Sequence, residues 1–119
     1  MNDLYYLATP YTLYPTGRDA AYRMACRESA VLIKAGLVIY SPIAHSHPIS
    51  IYGGVDPLDW QLWMRQCRAM LPRVSGLIAL KASSWETSLG MQEEIRIMRE
   101  LGKPVIMMRL GEVPKELAG

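Results

Sequence analysis

The sequence predicts an α/β fold, with a parallel sheet as the middle layer and helices on both faces. Three observations lead there. Short apolar runs, each about a strand long, stand at Leu4–Ala8, Leu37–Tyr40, Gly76–Leu80 and Pro104–Met108. Segments with helical spacing separate them, giving the order β-α-β-α-β-α-β. The runs are continuous rather than alternating, as in strands buried on both faces. Strands and helices in alternation close as a parallel sheet with right-handed crossovers.

The first run, LYYLA, is apolar and aromatic and is stopped by Thr9-Pro10. The loop Thr9–Gly17 carries Pro10, Tyr11, Tyr14 and Pro15, and it is longer than a minimal strand-to-helix connection. Arg18–Ala35 reads as the first helix, rich in alanine, with Arg23, Arg27 and Lys34 on its polar strip and Gly36 ending it. After the second strand, Ser41–Pro57 reads as irregular. It holds Pro42, Pro48, Pro57, Gly53, Gly54 and both histidines, His45 and His47.

Leu58–Leu71 is the second helix, stopped by Pro72. Its main apolar side gathers Trp60, Trp63, Met64, Cys67 and Leu71. A smaller strip of Leu58, Leu62 and Ala69 offers surface for a contact between subunits. The loop Ala82–Thr87 follows the third strand and leads to a helix that Ser88 is suited to cap, running to Gly102. The tail Arg109–Gly119 has room for one short helical turn.

Composition narrows the function. The 119 residues suit one domain with a single core. Half the chain is hydrophobic and the net charge is only +2, which argues against disorder and against a dedicated nucleic-acid binder. Cys26 and Cys67 form neither a disulfide framework nor a zinc pattern, so a reducing cytoplasm is expected. The start, MNDLYYLA, lacks a leader pattern, and no apolar run approaches a membrane span, so no membrane association is expected.

One residue breaks the pattern of its helix. At about 100° per residue, Met91, Ile95, Ile97, Met98 and Leu101 share one broad side. Gln92, Glu93, Arg96, Arg99 and Glu100 share the other. Glu94 projects from within the apolar side. A carboxylate there needs either a partner, such as an arginine or backbone donors, or a function.

In parallel sheets ligands bind beyond the carboxyl ends of the strands, where strand order reverses. The loops Thr9–Gly17, Ser41–Pro57 and Ala82–Thr87 converge there with the start of the Glu94 helix. The hydroxyl-rich stretch Ser83, Ser84, Thr87, Ser88 and Gly90 suits an anion at a helix N-terminus or ordinary capping. His45 and His47 stand two apart without a third ligand at metal spacing, so no metal is expected. Either could contact a ligand or donate a proton. Asp59 suits the start of the second helix for dipole reasons. With Asp56 it is also a carboxylate available to pair with Glu94 in acid/base work. Trp60, Trp63, Trp85, Tyr11, Tyr14 and Tyr52 cluster near this face, suited to stacking on a nucleobase or to packing.

The segments YYLATPY, YSPIAHSHPI, DWQLWMRQC and SWETSLGMQEEI together resemble an uncharacterised bacterial and phage family with a nucleoside 2-deoxyribosyltransferase-like fold, over Leu4 to about Met108. The wider superfamily holds deoxyribosyltransferases and deoxynucleotide N-glycosidases on a flavodoxin-like parallel sheet of four to five strands. The resemblance implies one such domain over residues 1–119. Its signature of a hydroxyl residue, a glycine and a glutamate four residues later falls on Ser88, Gly90 and Glu94. It implies that Glu94 attacks the anomeric carbon of a deoxyribosyl group, that Tyr6 orients Glu94, and that Ser88 holds sugar or phosphate. The chain departs from the superfamily at Cys67 and Ser75, where aspartates are usual. The proton donor would then be Asp59, Asp56, His45 or His47.

The sequence therefore leads to an enzyme acting on the N-glycosidic bond of a nucleoside or nucleotide. Glu94, Tyr6, Asp59 and His45 are its catalytic candidates. Ser88, Gly90, Tyr11, His47, Trp85 and Arg18 are its substrate-binding candidates, with Arg18 set to neutralise a phosphate. No cofactor is expected, and no polymeric nucleic-acid partner. Self-association is expected. The alternative is a nucleotide-binding or sensing module without catalysis.

Overall fold

The structure, a computed structural model, describes residues 3–118; Met1, Asn2 and Gly119, the outer ends of the leader and tail readings, lie outside them. Four parallel strands form one sheet: β1 (Leu4–Ala8), β2 (Val38–Tyr40), β3 (Gly76–Leu80) and β4 (Val105–Met108), in the order β2-β1-β3-β4. The register sets Tyr6 beside Tyr40 and Leu77, and Ala79 beside Met107. The chain leaves β1 toward one edge and returns through β3 toward the other, so strand order reverses between β1 and β3.

Alternation along the strands feeds two cores. Tyr6, Ala8, Leu77 and Ala79 point to one face, where they meet Met91, Ile95 and Met98 of α4 (Leu89–Glu100), with Leu71 and Val74. Leu7, Ile78 and Leu80 point to the other, where they meet Met24 and Leu32 of α1 (Arg18–Lys34). This is the three-layer α/β arrangement expected, with helices on both faces. Gly76 fits at the start of β3 because the backbone is crowded there: a Cβ would stand 3.1 Å from the Pro104 ring and 3.2 Å from Tyr5.

One element differs from expectation. Residues read as irregular form a helix, α2 (Pro42–Gly53). Ser41 caps it, its hydroxyl accepting from the Ala44 amide at 3.2 Å. Pro42 stands in the first turn, where its missing N–H removes nothing from the helix. Gly54 closes it in the left-handed conformation, φ 67°. Pro48 lies inside, where it deletes one backbone donor. Only Pro42 and His47 of α2 are buried, so the helix shows no apolar stripe. The order is therefore β-α-β-α-α-β-α-β, with α3 (Trp60–Met70) following α2 directly. No helix among the described residues is long and apolar enough to cross a membrane.

Candidate functional site

A cavity of about 390 Å³ opens beyond the carboxyl ends of β1 and β2. Its walls come from the loop after β1, from α2, from α3 and from the first two turns of α4. Trp60, Trp63, Met64, Leu13 and Leu89 give it a largely apolar wall. The main apolar side of α3 thus faces this space through Trp60, Trp63, Met64 and Cys67, while Leu71 packs in the core. Trp60 retains 44% exposure because it edges the opening.

Glu94 reaches the cavity from α4 and is 5% exposed. Tyr6, fully buried on β1, donates its hydroxyl to Glu94 Oε2. The Cys67 thiol lies beside the same carboxylate. Burial pushes the Glu94 carboxyl from its ordinary 4.5 up to about 7, against the pull of the Tyr6 and Cys67 donors. The same burial, and the nearby Glu94 charge, push the Cys67 thiol up to about 12. Burial also holds the Tyr6 phenol well above its ordinary range.

Arg96 of this helix and Arg68 of α3 are engaged elsewhere. Glu93, one residue earlier, accepts from Arg96 Nε at 2.8 Å and from Arg68 at 3.4 Å. Arg96 first, then Arg68, lowers the Glu93 carboxyl to about 2. Adjacent glutamates on α4 thus have opposite surroundings. Among the described residues no lysine or arginine stands within ion-pair distance of Glu94.

The remaining candidates divide. Ser88 caps α4, its hydroxyl accepting from the Met91 amide at 3.3 Å, and it lines the cavity with Gly90. Tyr11 lines the cavity, and its hydroxyl meets His47 Nδ1 at 2.6 Å. His45 is exposed and edges the cavity, its ring 5.9 Å from that of Tyr40. His47 does not line the cavity: it is buried behind Tyr11, stacked on Tyr22 at 4.6 Å.

Asp59 is exposed and caps α3, accepting from the Leu62 amide at 3.3 Å. Asp56 accepts from the Leu58 amide at 2.9 Å, closing a turn. Neither aspartate lines the cavity, because each carboxylate is committed to a local backbone amide. Trp85 packs against the α4 core, and Arg18 is exposed at the start of α1; neither lines the cavity. The loop Ala82–Thr87 contributes none of its wall. Tyr14 and Tyr52 also lie away from it.

Tyr40, Thr9 and Ser50 are among the wall residues that sequence reasoning missed. Tyr40 sits between Tyr6, at 5.7 Å between rings, and His45. Thr9 is 4% exposed, lines the cavity and has a hydroxyl with no partner among the described residues. Ser50 lines it from α2, a helix the prolines concealed. Thr9 carried a signal: it is the first polar residue after β1, at the sheet end where ligands bind. No group of His, Cys, Asp or Glu side chains among the described residues is placed to hold a metal ion.

A model of the family described as "Domain of unknown function (DUF1937)" matches residues 3–110. No curated protein matches the sequence. Among solved structures, the fold is similar to a 2-deoxyribosyltransferase from the psychrotolerant bacterium Bacillus psychrosaccharolyticus. The TM-score is 0.62 at 18% identity, covering 97% of this chain and 79% of that one.

Proposed function

The chain belongs to the DUF1937 family, and within it we propose an enzyme that cleaves or transfers the N-glycosidic bond of a nucleoside, with Glu94 as nucleophile. The observation that carries this reading is the Tyr6–Glu94 contact at the wall of an apolar cavity. A buried carboxylate without a cationic partner is destabilising, and a catalytic use accounts for its being kept there. With its carboxyl near 7, Glu94 ionises in the physiological range and can attack an electron-poor carbon.

Tyr6 holds the attacking oxygen's neighbour and orients the carboxylate. Ser88 and the first amides of α4 are set to hold sugar hydroxyls. The aromatic wall of Trp60, Trp63 and Tyr40 suits a flat base. A neutral nucleoside fits this wall better than a nucleotide, because a phosphate would meet the Glu94 charge in an apolar setting. Arg18 stands outside the wall. The fold similarity to a 2-deoxyribosyltransferase is consistent with this chemistry. The chain acts as one nucleoside 2-deoxyribosyltransferase-like domain, in the cytoplasm and as a homo-oligomer.

A second reading has one specific observation behind it. Cys67, rather than a second carboxylate, stands beside Glu94, which suits a nucleoside sensor as well as an enzyme. Release of free base from a panel of deoxynucleosides and deoxynucleotides, with Glu94→Ala alongside, separates the two. Release abolished in the variant supports cleavage. Saturable binding with no release supports the sensor.

A further inference from the structure

We propose that Tyr11 is the group that protonates the departing base, with His47 behind it as its proton source and Asp19 facing the far side of that imidazole. The inference rests on the reading of the cavity as a site of N-glycosidic cleavage. It assigns the proton donor that neither aspartate supplies.

The geometry sets a phenol, an imidazole and a carboxylate in a row, with the phenol at the cavity. Tyr11 lines the cavity with Glu94. Its hydroxyl lies 2.6 Å from His47 Nδ1, across 36 residues of chain. His47 is buried, at 6% exposure. Its Nε2 has no hydrogen-bond partner among the described residues, yet Asp19 Oδ1 lies 3.7 Å away. Tyr22 stacks on the ring at 4.6 Å and 28°, fixing its plane. A buried imidazole with one nitrogen on a cavity hydroxyl can exchange a proton with that hydroxyl, and a carboxylate that is itself 65% exposed faces its other nitrogen.

The groups that face His47 come from α1, the loop after β1 and α2. From α1 come Asp19 and Tyr22, with Arg23 holding Asp19 Oδ2 at 2.8 Å. Arg18 acts on Tyr11 through its charge. From the loop after β1 comes Tyr11 itself. Within α2, the Ser50 hydroxyl donates to the His47 carbonyl at 2.7 Å and fixes the backbone that carries the ring.

The proton count closes over two steps. In the first, a Glu94 oxygen bonds to the anomeric carbon as the carbon–nitrogen bond breaks. The base nitrogen keeps that electron pair and takes the Tyr11 proton, and Tyr11 is reprotonated from Nδ1 of the His47 imidazolium. Asp19 stabilises that imidazolium before transfer. In the second, water or an acceptor amine loses a proton to Tyr11, which passes its own to His47. The new bond forms at the anomeric carbon and the Glu94 carboxylate is released. Tyr11 is the catalytic residue here; His47 and Asp19 are positioning residues acting through it.

The test compares two substrates. Deoxyadenosine needs its base protonated on departure. N7-methyl-deoxyguanosine does not, because its cationic base leaves neutral. Tyr11→Phe is expected to slow base release from deoxyadenosine about 100- to 1,000-fold and to change release from the methylated nucleoside less than about threefold. His47→Gln is expected to slow the deoxyadenosine reaction and to leave release from the methylated nucleoside within about threefold of wild type, since His47 acts only through the Tyr11 proton. Equal slowing of both substrates by Tyr11→Phe, or slowing of neither, overturns the Tyr11 assignment while leaving Glu94 chemistry intact. Cleavage of neither substrate by the wild type overturns the Tyr11 assignment together with the reading it rests on.

Discussion

Tyr6 on β1 donates its hydroxyl to Glu94 on α4, joining residues 88 positions apart through a buried contact. It ties the central strand to the one carboxylate lining the cavity among the described residues. A phenol donating to a carboxylate favours the ionised form, whereas burial opposes it. At Glu94 burial wins, and the carboxyl sits near 7 rather than 4.5.

Tyr6→Phe removes the donor and keeps the ring. A hydrogen bond to a charged group is worth about 1.5–3 kcal/mol, which equals roughly 1–2 pKa units. The Glu94 carboxyl should therefore titrate above its present value of about 7. The ionised fraction at pH 7 falls about 5- to 50-fold. The acidic limb of the pH–rate profile for base release is expected to move to higher pH, with much of the activity recovered in alkaline buffer.

Glu94→Gln should stabilise the protein in alkaline buffer. Between pH 4.5 and about 7 the folded chain holds a Glu94 proton that the unfolded chain has lost. Stability therefore falls as pH rises through that window. At about 1.4 kcal/mol per unit, the buried charge destabilises the wild type by about 3–4 kcal/mol above pH 7. Urea unfolding of the two proteins should coincide near pH 4 and separate by that amount at pH 8.5, with the variant more stable and inactive.

Cys67 should be slow to alkylate although it lines an open cavity. With its thiol near 12, the thiolate fraction at pH 8 is roughly 1,000-fold below that of an ordinary thiol. Greater intrinsic nucleophilicity of the basic thiolate recovers a part of this, leaving reaction about 50-fold slow. Iodoacetamide labelling followed by peptide mass analysis measures the rate.

Gly90→Leu separates binding from folding. A Cβ at Gly90 meets nothing within 4 Å, and losing a helical glycine gains up to about 1 kcal/mol. The leucine side chain enters the cavity that Gly90 lines. The midpoint of thermal unfolding should hold or rise, while KM for a nucleoside increases at least about 10-fold on losing its place against the wall.

The sheet was legible because its strands are short apolar runs bounded by Pro and Gly, and β3 begins and ends as read. Glu94 was legible because helical spacing set a carboxylate among Met91, Ile95 and Met98, which are all buried. Ser88 capping α4 followed from the same periodicity. The helix α2 was not legible: Pro42 and Pro48 read as breakers, and its apolar residues form no stripe. That Tyr11 meets His47 was hidden for the same reason, since an extended stretch and a helix aim His47 differently. Asp59 shows the converse: its helix-start position was plain, and the capping bond it makes leaves it outside the cavity.

The most direct measurement is the mass of the protein itself during turnover. Wild type quenched in the presence of a deoxynucleoside is expected to carry the added mass of one deoxyribosyl group, located by fragmentation to Glu94, with free base released. Base release that persists unchanged in Glu94→Gln, or a deoxyribosyl group found on another residue, would contradict that expectation.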